Sequence, residues 1–366
     1  IILGPGPSSA NPAVLRAMSQ PIIGYLDPEY LSLLEIVEDM LREVFKTNQR
    51  AFAVAGAGSA GMEAGLSSLL EQGDKVIICS YGHFCERQIE MCIRLGANVI
   101  ELPSKWGQQM VPATLEEALR KHPDTKLVVA IHAETSAGTL QPISELSSIA
   151  HSSGALFMTD VVTSLAGCDV DFDGWQIDYA YSGSQKCLAA PPGISPVAIS
   201  ERAIEHIRKR KSPPSSWYLD LSLIADYWGS EHKPHHTNPV SMIYGLREAL
   251  ALVLNEGLEE RWARHENVAN ALRYGLDALQ LSSPVDKNAR LNQLTVVSLP
   301  NGVNDQDLRN QLLRDYGIEI GRGLGQFMGK VVRIGLMGES CSISNVLTLL
   351  NALESILPQH GYNVSP

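Results

Sequence analysis

The first strong periodicity in the chain follows Asp27 and Pro28, a capping residue and a proline at the first helical position. Leu33, Ile36, Val37, Met40, Leu41, Val44 and Phe45 then recur at helical spacing, which predicts a helix over 28–46 with one buried face. A different pattern begins at 51. Short apolar runs at AFAVA (51–55), KVIIC (75–79), NVIEL (98–102), KLVVAIH (126–132), ALFMTD (155–160), DYAYS (178–182) and SPVAIS (195–200) read as strands. Helical stretches at 62–71, 84–95, 113–121 and 143–151 separate several of them. Such alternation predicts an α/β fold, a mostly parallel sheet with helices on both faces.

From 240 to 278 the pattern is helical again. After 290 a smaller unit is predicted: strand 293–299, helix 304–315, strands 317–321 and 331–335, and helix 343–356, with Pro300-Asn301-Gly302 as a turn. The basic run Arg208-Lys209-Arg210-Lys211 ends a helix, where cations suit the dipole. No internal repeat or low-complexity tract interrupts the chain.

Composition narrows the class. Among 366 residues, 40 Asp and Glu against 29 Lys and Arg give a formal charge of −11. That balance argues against a nucleic-acid partner, since phosphate binding draws on basic patches. Hydrophobic residues at 45% leave ample material for a core. Six cysteines form no C-x-x-C pair, so zinc, iron–sulfur and disulfide-framework readings lack their spacing, and no metal site is expected. The thiols read as buried and reduced, which implies a cytoplasmic protein. No apolar run approaches the ~18–20 residues of a membrane span. The chain opens Ile1-Ile2 without Met, so residues are expected to precede it. Asn363-Val364-Ser365 matches a glycosylation spacing and is read as incidental in a thiol-rich chain.

Gly56-Ala57-Gly58-Ser59-Ala60-Gly61 matches G-x-G-x-x-G between a strand and a helix. A dinucleotide site also needs an acidic residue about 20 positions on, yet the next strand ends Ile78-Cys79-Ser80. The fragment therefore supports a phosphate at a helix N-terminus and only weakly a dinucleotide. Asp160 ends the strand ALFMTD, at the carboxyl edge where such sheets place ligands. Lys186 lies 26 residues on, in Ser182-Gly183-Ser184-Gln185-Lys186. A lysine for a Schiff base and an acid for a pyridine nitrogen are what a pyridoxal 5'-phosphate (PLP) enzyme needs. On residue types and spacing alone, a loop lysine and a helix-capping aspartate fit equally well.

The chain resembles the class V aminotransferases of the fold-type I PLP group, within them the alanine–glyoxylate and serine–pyruvate aminotransferase family. The resemblance rests on Gly4-Pro5-Gly6-Pro7-Ser8, His132-Ala133-Glu134-Thr135-Ser136-Ala137-Gly138, Ser182-Gly183-Ser184-Gln185-Lys186, His235-His236-Thr237, Leu246-Arg247-Glu248 and Arg333-Ile334-Gly335-Leu336-Met337-Gly338. It implies an N-terminal segment (1–25) reaching a dimer partner, a large PLP-binding domain (26–255) around a seven-stranded sheet, and a small C-terminal α+β domain (256–366). Lys186 then matches the Schiff-base lysine and proton carrier, and Asp160 the partner of the pyridine nitrogen. Val162 matches the side chain under the ring, Phe84 the aromatic stacked over it, and Thr135 a hydroxyl near the ring oxygen. Ala57, Gly58, Ser59 and Gln185 match the phosphate cradle, with Thr237 reaching in from the second subunit of a homodimer. Arg333 matches the fork that clamps the substrate carboxylate, and Gly6 and Tyr25 belong to the substrate side.

With Arg333 as the marked clamp, small monocarboxylic donors such as alanine or serine are expected. Glyoxylate, or pyruvate when serine is the donor, is the expected 2-oxo acid, in a ping-pong cycle through pyridoxamine phosphate. A ureidoglycine–glyoxylate branch looks similar but carries amides where Tyr25 and Pro234 stand, and neither offers an amide's paired donor and acceptor. Pro234 also departs from the aromatic common before the two histidines. A 3-hydroxykynurenine transaminase shares the scaffold. A PLP lyase or desulfurase would need a nucleophilic cysteine, for which Cys341 is the candidate. A paralogue kept only as a binding module is disfavoured by the intact Lys186, Asp160 and Arg333.

Overall fold

The computed structural model describes residues 1–230 and 232–363. Val364 and Ser365 of the glycosylation-like tripeptide lie outside the described residues. In chain order the strands are β1 (Ile2–Leu3), β2 (Arg50–Ala55), β3 (Lys75–Ser80), β4 (Asn98–Pro103), β5 (Thr125–Ile131), β6 (Ala133–Glu134) and β7 (Thr139–Leu140). They continue as β8 (Leu156–Asp160), β9 (Tyr179–Tyr181), β10 (Ile194–Ile199), β11 (Leu294–Ser298), β12 (Glu319–Arg322) and β13 (Val331–Gly335). The main sheet has seven strands in the order β2-β10-β9-β8-β5-β3-β4. Its β4, β3, β5, β8 and β9 pair parallel, and β10 pairs antiparallel with both β9 and β2. β8 and β10 are buried at every position, as expected of central strands covered on both faces.

The helix Pro28–Phe45 starts where its signals place it, with Asp27 accepting from the Glu29 N–H at 2.9 Å. Val37, Leu41, Val44 and Phe45 are buried as expected, Tyr30 and Leu34 join them on the same face, and Ile36 is 45% exposed. Buried Glu38 also lies on this face, where Arg50 on β2 answers its charge at 2.6 Å. The helix after β2 runs Gly58–Leu69 and so begins inside the glycine-rich fragment. Gly, Ser and Ala carry no apolar periodicity, which hid its first turn. The helical run after 240 is two helices, Val240–Glu256 and Leu258–Ala278, broken at Gly257 by a φ of +88°.

The second sheet is β1-β12-β13-β11. Leu3, Leu272, Leu312, Ile320, Ile334 and Leu353 belong to its own buried core. The two-residue β1 is too short to leave a pattern, and it pairs parallel with β12. Beyond it, Gly4 and Pro5 thread between two glycines of that sheet. A Cβ at Gly335 would fall 2.0 Å from the Gly4 carbonyl oxygen, and one at Gly321 would fall 2.4 Å from Pro5 Cδ. The segment then reaches the large sheet, where the Ser8 N–H donates to the Gln185 carbonyl at 2.8 Å. Among the described residues no helix is long and apolar enough to cross a membrane.

Candidate active site

Four parallel strands, β3, β5, β8 and β9, end on one edge of the main sheet, at Ser80, Ile131, Asp160 and Tyr181. A cleft of about 580 Å³ lies there, open to solvent on one side. Nine of the expected residues line it: Ala57, Gly58, Ser59, Phe84, Thr135, Asp160, Val162, Gln185 and Lys186. Met62, Arg87, Ile131, Ala133, Thr163 and Tyr181 line it as well and were not anticipated.

Asp160 is held from two sides. Its Oδ1 accepts from the Val162 N–H at 2.8 Å, which also sets Val162 against the cleft floor. Its Oδ2 accepts from the Tyr181 hydroxyl at 2.6 Å. Gln88 donates its amide to the same hydroxyl oxygen at 3.1 Å, so the tyrosine's own proton turns to Asp160. Burial pushes the Asp160 carboxyl up to about 6, with the Tyr181 bond opposing. Tyr181 itself is driven well above its ordinary value by burial and by Asp160, so it stays a donor.

Burial brings the Lys186 ammonium down to about 8, against the opposing charge of Asp160. The amine donates to the Pro5 carbonyl. Gly6 backs it so closely that an added Cβ would lie 2.5 Å from Nζ, and its φ of +112° already favours glycine. The Ser8 hydroxyl fixes the lysine's own carbonyl at 2.7 Å. An amine with a lowered pKa, buried beside a carboxylate, is suited to attack carbonyls and to move protons.

The helix Gly58–Leu69 presents its first turn to the same cleft, capped by Ala57 with no side-chain hydrogen bond. Its leading N–H groups are thus left for an anion. Gly58 is closely packed: a Cβ there would lie 3.2 Å from Val162 Cγ2 and 3.4 Å from the Ser182 carbonyl. Gln185 leaves a buried Oε1 without a partner in the cleft wall.

Arg333 lies outside the cleft lining, on β13. It is 5% exposed and donates to the carbonyls of Arg322 at 2.7 Å and Thr135 at 3.3 Å, with no carboxylate in ion-pair reach among the described residues. Burial brings it down to about 10, with Glu134 opposing. A buried guanidinium without an ion pair has a planar fork suited to a carboxylate. Phe84 stands at the mouth, and the Arg87 guanidinium lies over its ring at 4.8 Å.

A sequence profile described as "Aminotransferase class-V" matches residues 29–343. The chain is 37% identical to the alanine–glyoxylate aminotransferase of Felis catus, covering 99% of this chain and 89% of that protein. Its fold is similar to the crystal structure of ureidoglycine–glyoxylate aminotransferase from Bacillus subtilis, with a TM-score of 0.97 and 39% identity over 100% of this chain and 94% of that one. It is equally similar to alanine–glyoxylate aminotransferase from Nostoc sp., with a TM-score of 0.95 and 41% identity over 97% and 94%. This chain belongs to the class V aminotransferases.

Two expected residues of this aminotransferase stand away from the cleft of their own chain. Thr237 is exposed, and Tyr25, 36% exposed, neighbours Tyr227. Trp217 packs on His235 at 4.2 Å and is itself 62% exposed. Cys341 lies in the core of the small sheet, and burial pushes its thiol up to about 12. A nucleophilic cysteine has the opposite environment, exposed and with a lowered pKa.

Tyr181 was legible only by position, as the last residue of a strand that ends at the ligand edge. Glu134 carried a clearer signal, a carboxyl among small residues directly after the apolar strand β5.

Proposed function

We infer that this aminotransferase moves the amino group of alanine or serine to glyoxylate, or to pyruvate, in a ping-pong cycle with pyridoxal 5'-phosphate. The observation that carries this reading is that Lys186 and Asp160 line one cleft together with the start of the Gly58–Leu69 helix, with buried Arg333 nearby. The residues fit the cofactor. The Gly58–Leu69 helix start with Ser59 and Gln185 would hold the phosphate, Asp160 the pyridine nitrogen, Val162 and Phe84 the two ring faces, and Thr135 the ring oxygen. When bound, PLP supplies an aldehyde that takes up the amino group and a ring that accepts the electron pair released at Cα.

The chain's residues do the rest. Lys186, partly neutral near pH 8, would supply the amine that holds the cofactor and would carry the proton from Cα to C4′. Asp160 keeps the ring nitrogen protonated through its charge. Arg333 binds the substrate carboxylate with a planar fork and orients Cα. Gly6 leaves room for the amine's swing, and Tyr25 completes the substrate side. In a homodimer, Thr237 of the second subunit would close the phosphate site. The exposed Ile22, Tyr25, Leu26, Trp217 and Tyr218 support such an interface. Division into residues 26–255 and 256–366, with 1–25 reaching the partner, follows from this reading. Six unpaired cysteines among the described residues agree with a cytoplasmic location.

A (S)-ureidoglycine donor is the second reading, favoured by the likeness to the Bacillus subtilis structure. The purified enzyme, loaded with PLP and freed of excess, decides between them. Its visible absorption should fall with L-alanine or L-serine as the oxo acid appears in equal amount, and return with glyoxylate. Turnover with (S)-ureidoglycine alone would give the second reading. Persulfide formation from L-cysteine, or no oxo acid from any donor, would remove both.

A further inference from the structure

Glu134 ends β6 wholly buried, and no step above uses it. Its two oxygens meet four donors. Oε1 accepts from the Ser136 N–H at 2.8 Å and the Ser136 hydroxyl at 2.6 Å. Oε2 accepts from the Phe84 N–H at 3.2 Å and lies 3.8 Å from the Cys85 thiol. An ionised carboxyl is acceptor-only, with about four lone-pair sites, so this set of partners is complementary to the charged form. The donors come from two segments far apart in sequence. One carries Phe84, and the other carries Thr135, whose carbonyl accepts from Arg333. Burial pushes Glu134 up to about 7, and Asp160 adds to this, while the Ser136 and Phe84 donors oppose. Lys186 and Arg333 face it with the opposite charge.

The space it occupies is kept open by Gly82. A Cβ at Gly82 would lie 2.2 Å from Glu134 Cγ and 2.3 Å from Cδ. Gly82 has a φ of −173°, extended backbone that any residue adopts. The missing side chain at 82 therefore answers to Glu134 and to nothing in the backbone.

We propose that Glu134 is an ionised positioning residue, which fixes Phe84 and Thr135 about the cofactor from a socket that only glycine at 82 leaves open. This rests on the PLP reading above. Glu134→Gln keeps the size and removes the charge, and whichever oxygen becomes NH₂ then faces a backbone N–H. The test titrates apoprotein with PLP by quenching of tryptophan fluorescence and records the visible circular dichroism of the bound cofactor, which reports how the ring is held.

Glu134→Gln should bind PLP about tenfold more weakly or worse, with a reduced dichroic band and a melting transition that stays cooperative. Gly82→Ala should weaken binding comparably in the wild-type background, yet add less than twofold to Glu134→Ala, which empties the socket. If Glu134→Gln does not fold, Ser136→Ala removes one donor and should weaken binding about fivefold. Affinity and dichroism unchanged in Glu134→Gln (or in Ser136→Ala, where that variant stands in) would mean a protonated or merely space-filling side chain, and would overturn the proposal. Additive losses from Gly82→Ala and Glu134→Ala would overturn the socket. Wild-type protein that takes up no PLP would refute the functional reading instead.

Discussion

Replacing Tyr181 by Phe deletes one hydroxyl and leaves the ring in place. In the native site that hydroxyl donates to Asp160 Oδ2 at 2.6 Å, with its direction fixed by the Gln88 amide at 3.1 Å. A hydrogen bond to a charged group is worth about 1.5–3 kcal/mol, and one pKa unit corresponds to about 1.36 kcal/mol. Asp160, already raised to about 6 by burial, should therefore rise by roughly 1–2 units further in the variant. The sign follows from linkage. A carboxyl whose folded pKa lies above its ordinary 3.8 binds more protons folded than unfolded, so its stability contribution is full below pH 3.8 and is lost as pH rises to about 6. In Tyr181→Phe that loss continues to roughly pH 7–8. Urea unfolding of both apoproteins at equal concentration, from pH 5 to 9, isolates the difference. Destabilisation by the variant should grow by about 1.5–3 kcal/mol between pH 6 and 8 and then level off. A difference that stays constant across this range would refute the claim that Tyr181 stabilises the Asp160 charge.

Arg333→Lys should raise KM for alanine about 10- to 150-fold with a smaller change in kcat, because a lysine replaces a charge-assisted fork worth about 1.5–3 kcal/mol; steady-state kinetics checks this. Gly6→Ala places a Cβ against the Lys186 amine and an L-residue at a φ of +112°, so it should cost about 1–3 kcal/mol in unfolding experiments and slow PLP uptake in stopped flow. The rate of PLP uptake by the apoprotein should rise as pH increases through about 8, where burial has brought Lys186, since the neutral amine is the nucleophile. Lys186→Ala should abolish the visible absorption of the loaded enzyme while leaving a folded protein.

The main sheet was legible because its strands, apart from the edge strand β4, are largely buried and appear as short apolar runs, and Asp160 because a carboxyl at the end of such a run is conspicuous. Lys186 was legible from the small residues around it. Three features were not. The two-residue β1 carries no periodicity, although it joins the small sheet. The first turn of the Gly58–Leu69 helix is built from Gly, Ser and Ala, whose placement answers to close approach and not to apolar burial. Partners such as Gln88–Tyr181 and Gly82–Glu134 join residues 93 and 52 positions apart, and only the folded chain brings them together. The role proposed for Thr237 calls for a second chain, which no single-chain pattern can display.

The threading of Gly4 and Pro5 between Gly321 and Gly335 makes the amino-terminal segment a tether of fixed length. One end is stitched into the sheet that carries Arg333, and the other touches the Lys186 amine through Pro5 and Gly6. Any movement of the small sheet would pull on Pro5 and Gly6, which form the wall behind the lysine. The proposed carboxylate clamp and the proposed amine are thus joined mechanically through four residues.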